Sequence, residues 1–124
     1  MNIESRKVST SKSSEELFTF LTSLNNYEQL MPENTEKFEI DGDSFIFGLK
    51  GMPEIRLVSK GSTPNSEVIL GAASSKIPFT LTFKIENSDI QIFFKGDFNP
   101  MISMMAKKPL TNFINTLIDN IEKL

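Results

Sequence analysis

Two periodicities divide this chain and together limit what it can become. From residue 38 to residue 98, apolar side chains recur at every second position in runs separated by short turn sequences; from 100 to 124 they recur at helical spacing. Period-two alternation describes a strand with one buried and one solvated face. Short connections between such runs predict an antiparallel meander. Phe38 and Ile40 alternate with Lys37, Glu39 and Asp41, and Asp41-Gly42 signals a hairpin, because glycine accepts positive φ cheaply. Phe45, Phe47 and Leu49 carry the next run, followed by the turn Lys50-Gly51-Met52-Pro53. Ile55 and Leu57, then Val68 and Leu70, make two more, separated by Ser62-Thr63-Pro64-Asn65. Ile77, Phe79, Leu81, Phe83 and Ile85 form the cleanest alternation. After Glu86-Asn87-Ser88-Asp89, the row Ile90, Ile92, Phe94 and Phe98 completes six predicted strands.

The flanks are helical or weakly extended. Residues 2–8 predict a first strand. Ser13 with Glu16 three residues on is a capping box, and Leu17, Phe18, Leu21 and Leu24 follow at helical spacing, so a helix ends near Ser23 or Leu24. Asn26 with Gln29 predicts a second, short cap, with Tyr27, Leu30 and Met31 behind it and Pro32 as the stop. Asn99-Pro100 opens the final helix, with Asn as cap and Pro in the first turn. Its expected stripe is Ile102, Met105, Leu110, Phe113, Ile114, Leu117, Ile121 and Leu124. Uninterrupted, it measures about 37 Å, enough to cross the sheet. Pro109 removes the hydrogen bond to the carbonyl of Met105 and predicts a kink. With no repeat, linker or low-complexity segment, one domain covering 1–124 is expected.

Composition then removes whole function classes. At 39% hydrophobic and 23% charged the chain reads as globular rather than disordered. Its net charge is -3, arginine occurs only at Arg6 and Arg56, and no basic stripe runs along the chain: Arg6-Lys7 and the pair Lys107-Lys108, which reads as the solvated face of a helix, are isolated, so nucleic-acid binding is not expected. There is no cysteine, which excludes disulfides and suits a cytoplasmic setting. The first residues lack the apolar core of a signal peptide, and no apolar run approaches the ~20 residues of a membrane span. There is no histidine, so imidazole bases, Ser-His-Asp triads and His-ligated zinc are excluded. Asp41 and Asp43 read as turn residues rather than a metal pair, and Glu15 and Glu16 as complements to a helix dipole. Tyr27, the only phenol, is expected at a helix edge with its hydroxyl in water. No cofactor, metal or catalytic residue is assigned.

The order of a strand, two short helices, six strands and a long helix, with Ser13-Ser14-Glu15-Glu16-Leu17-Phe18 opening the first helix, Phe20-Leu21 burying it, Asn26-Tyr27-Glu28-Gln29-Leu30-Met31-Pro32 as the second and Asn99-Pro100-Met101 opening the last, resembles the START/polyketide-cyclase (SRPBCC) superfamily across the whole chain. Within it, the chain looks like a small, minimal bacterial branch. The resemblance implies an α+β helix-grip fold, a curved antiparallel sheet wrapped around the long C-terminal helix. It also implies an apolar cavity between the two. It specifies fold better than activity.

The inward phase offers Phe45, Phe47, Leu57, Leu70, Phe79, Leu81, Phe83 and Phe94 from the strands, with Met105, Phe113 and Leu117 facing them from the helix. These residues either interlock as an ordinary core or line a pocket for an apolar or amphipathic ligand such as a lipid, isoprenoid or quinone. The leading expectation is a non-catalytic carrier or sensor. The alternatives are a cyclase- or dehydratase-like enzyme, which needs an inward acid or base, and a cavity-free domain for protein interaction or dimerisation. Ile46, Val58, Ile69 and Phe93, apolar on the polar phase, would serve the last. Met101, Met104 and Met105 cluster near Pro109, where a pliable helix end could cover a cavity mouth. Either a monomer or a homodimer fits these features.

Overall fold

The computed structural model describes residues 1–50, 54–74 and 78–124. The turn expected at 50–53 and the inward position of Ile77 therefore lie largely outside the described residues. Six strands run as the alternation requires: β3 Thr35–Asp41, β4 Ser44–Leu49, β5 Ile55–Thr63, β6 Glu67–Ala72, β7 Phe79–Glu86 and β8 Asp89–Gly96. Each pairs antiparallel with its sequence neighbour. Two N-terminal strands, β1 Asn2–Glu4 and β2 Val8–Ser9, add to the free edge of β8, so the sheet order is β1-β8-β7-β6-β5-β4-β3. The long C-terminal helix, α2, spans Pro100–Glu122 and is preceded in the chain by α1, Ser14–Thr22, and a 3₁₀ helix, Leu24–Leu30. This is the helix-grip α+β arrangement.

Tight turns appear where the residues permit them. Gly42 and Asn87 hold φ of 62° and 58° as the first residues of the two-residue loops closing Asp41↔Ser44 and Glu86↔Asp89. Glycine and asparagine are the residue types that tolerate this region.

The expected single strand over 2–8 is broken. Ile3 pairs with Phe94 and Val8 with Ile90, five residues of one strand against four of the other. Ser5 absorbs the extra residue: its amide donates to the Ile92 carbonyl, and its buried hydroxyl accepts from the Ile92 amide at 2.9 Å. A side chain has taken the place of a ladder carbonyl, as a bulge requires.

The capping box at Ser13 and Glu16 is present in both directions. The second helix differs from expectation. It is 3₁₀, begins after Ser23 without a side-chain cap, and Asn26 instead donates through Nδ2 to the Phe20 carbonyl at 3.0 Å. Asn26 thus closes the frayed end of α1 rather than opening a new helix. Tyr27 also departs from expectation. Its side chain is 1% exposed, and its hydroxyl donates to the Leu21 carbonyl at 2.7 Å. α1 ends without a basic residue in its last turn, so two side chains from the next helix satisfy its last carbonyls.

Helix α2 is capped by Asn99, which accepts from the Ile102 amide, and it continues as an α-helix through Pro109. Its buried residues are Phe113, Ile114, Leu117, Ile118 and Ile121, all beyond the proline. Asn120 ties this half to the 3₁₀ helix by donating to the Leu30 carbonyl, and Arg6 reaches Asp119 and Glu122.

Candidate functional site

The inner face of the sheet is organised in cross-strand rows. One row is Ile40, Phe45 and Leu57; a second is Phe38, Phe47 and Ile55; a third is Leu70, Leu81, Phe94 and Ile3; a fourth is Val68, Phe83 and Ile92. Ten of the eleven expected ligand-lining residues face this interior: Phe45, Phe47, Leu57, Leu70, Leu81, Phe83, Phe94, Phe113 and Leu117 are buried, and Phe79 is half-buried.

Met105 does not join them. It is 74% exposed. Nine residues separate it from buried Ile114, about two and a half turns, which puts the two side chains on opposite sides of the helix. The expected stripe ran one residue out of phase at that point.

The rings inside fall into two groups. Tyr27 stacks on Phe45 at 5.3 Å, Phe45 contacts Phe38 and Phe47, and Phe47 stacks on Phe113 of α2 at 5.1 Å with planes 7° apart. At the end of the sheet where β7 begins and β8 finishes, Phe79, Phe94 and Phe98 pack together. Gly96 allows the second group: a Cβ there would stand 2.9 Å from the Phe98 ring.

Among the described residues, depressions open on the surface at three places that matter here. One of about 430 Å³ lies on the outer face between Lys84 and Phe93, among charged side chains of both signs. Another, about 660 Å³, crosses the strand ends at one end of the sheet by Met1, Pro78 and Phe79. The third, about 380 Å³, lies where α2 meets the end of β4. Its apolar floor is Leu49 and Phe113, both nearly buried, and its walls carry Lys50, Lys108, Asn34 and Asn112.

Local structure builds this third groove directly. Thr35 bonds back to the Pro32 carbonyl through both its amide and its hydroxyl, and the Lys50 amide donates to the Asn34 carbonyl, so the loop before β3 is fastened to the end of β4. On the helix, Lys108, Asn112 and Thr116 follow at intervals of four and share one side. The Thr116 hydroxyl donates to the main-chain carbonyl of Asn112. Among the described residues, no acid lines this groove, and neither Lys50 nor Lys108 forms an ion pair. Phe113 belongs to both groove and core, through its stack on Phe47. Only Phe113 of this set was on the expected list. Lys50 and Lys108 read in sequence as a turn residue and a solvated helix face, and only the fold brings them together.

Among the described residues, no cluster of His, Cys, Asp or Glu is placed to hold a metal ion, and no helix is long and apolar enough to cross a membrane. No family model matches the chain, and no curated protein matches it. Solved structures share its fold. The protein XoxI from Bacillus cereus is 8% identical with a TM-score of 0.72, over 98% of this chain and 93% of its own. A hypothetical protein from Sulfolobus tokodaii is 17% identical with a TM-score of 0.69, over 98% and 91%. The Aha1 dimer from Colwellia psychrerythraea is 15% identical with a TM-score of 0.60, over 98% and 96%. At these identities the likeness concerns fold alone.

Proposed function

We propose that this protein binds a small amphipathic molecule, lipid- or isoprenoid-like, without transforming it, at the junction of the sheet and the C-terminal helix. The observation that carries this reading is the groove in which Lys50 and Lys108, neither paired to an acid among the described residues, stand over the apolar floor of Leu49 and Phe113. A ligand with a negative head and an apolar body complements both halves. Examples are a long-chain carboxylate or an isoprenyl phosphate. Affinity would come mainly from apolar area removed from water, at ~25 cal/mol per Å². The lysines would set the ligand's polarity and speed its capture. The resemblance to the SRPBCC superfamily supports the same region, since it implies a ligand space between sheet and helix. Of the expected residues, Phe113 is the one that lines this groove, and its stack on Phe47 joins the groove floor to the core.

The test is equilibrium titration with a long-chain carboxylate and with the alcohol of the same chain. Saturable binding of the carboxylate, weaker binding of the alcohol, and a loss of about tenfold or more in Lys50→Glu and Lys108→Glu are expected. Absence of saturable binding, or indifference to both charge reversals, would refute the proposal.

A further inference from the structure

We infer that the first turns of α2 form a docking surface for an anionic lipid bilayer. Met101, Met104 and Met105 are 71%, 84% and 74% exposed, and apart from Ile40 they are the exposed large hydrophobic side chains of the described residues. With Lys108 they occupy positions i, i+3, i+4 and i+7, which is one face of a helix. This face points away from the stripe that packs on the body, since Met105 stands about two and a half turns from buried Ile114.

The chemistry of the surface selects its partner. Residues 98–106 carry no charge, and the next two residues are Lys107 and Lys108, both exposed. Between Asp97 and Asp119 these two lysines are the charged residues, with no acid among them, in a chain whose net charge is -3. A short apolar helical face followed by lysines is the pattern of a helix that lies in the headgroup region, apolar side down and cations among the phosphates. Methionine suits a fluid partner, since its unbranched thioether adapts to no fixed shape.

A second copy of the chain fits less well. A two-fold contact through this face would bring Lys108 toward its own counterpart. Three methionines also fall well short of the about 800 Å² per partner of a stable interface. Docking in this orientation places the rim of the Lys50–Lys108 groove at headgroup level, although the surface stands on its own whether or not the groove takes a ligand.

Flotation of the full chain with vesicles decides the matter. Wild type should float with phosphatidylcholine vesicles containing phosphatidylglycerol, remain unbound with phosphatidylcholine alone, and dissociate as salt is raised. The triple variant Met101→Ser, Met104→Ser, Met105→Ser should lose about tenfold or more of the bound fraction, and Lys108→Glu, at the cation on the methionine face, should weaken binding, with both variants folded by circular dichroism. Failure of wild type to float, or equal flotation of the triple variant, would overturn the inference. So would a concentration-dependent mass that the triple variant abolishes, which would make the occupant a second copy.

Discussion

Tyr27 is the residue on which the interior turns. Its ring meets Phe45 face to face and Phe83 edge-on, while its hydroxyl closes the last turn of α1. Tyr27→Phe keeps the ring and removes the bond, leaving the Leu21 carbonyl without that donor. A loss of about 1–2 kcal/mol in urea unfolding is expected. The same burial pushes the phenol above its usual range in the folded state. An unfolded tyrosine ionises at about 10. Above that pH the unfolded chain holds fewer protons than the folded one, so stability falls as pH rises, by up to about 1.4 kcal/mol per unit. Below it Tyr27 contributes no pH dependence. As Tyr27 is the sole tyrosine, phenolate absorbance should appear together with unfolding, and the extra alkaline slope should vanish in Tyr27→Phe. Phenolate absorbance rising ahead of unfolding would contradict the buried hydroxyl. Sequence gave no warning of this role, because a tyrosine at helical spacing suits an edge as well as a core, and its acceptor lies six residues away in another helix.

At the scale of elements, two irregularities matter. The bulge at Ser5 holds β1 and β2 on the edge of β8 by giving the buried Ile92 amide an acceptor. Ser5→Ala should cost about 1–3 kcal/mol through that orphaned donor, measured by thermal or urea unfolding, and a neutral outcome would mean the edge repairs itself. Helix α2 is continuous, yet its halves live in different surroundings. Amides of 113–121 should exchange with solvent far more slowly than those of 102–108 when followed by NMR, because the first group packs on the body and the second lies beside exposed methionines and Pro109. Uniform protection along α2 would contradict this division. The six meander strands were legible from sequence because alternation, turn residues and register report the same physics. The phase of α2 ahead of Pro109 was not. Met101, Ile102, Met104, Met105 and Ala106 are apolar nearly all round, so spacing there could not identify the face that packs.

For the whole molecule, the fold gathers what the sequence disperses. Lys50 and Lys108 are 58 residues apart and meet at one groove only because β4 ends against the side of α2. All the expected lining residues but Met105 lie on the inner face or in the core, yet that position is a consequence of the pattern, whereas an opening to solvent depends on where strand ends, loops and helix leave a gap. Chemical-shift mapping of the backbone amides during titration with a long-chain carboxylate addresses the central claim most directly. Saturable shifts concentrated at Asn34, Leu49, Lys50, Asn112 and Phe113, smaller with the matching alcohol at equal concentration, are the expected result. Shifts confined to the outer sheet face around Phe93, or none at saturating ligand, would contradict it.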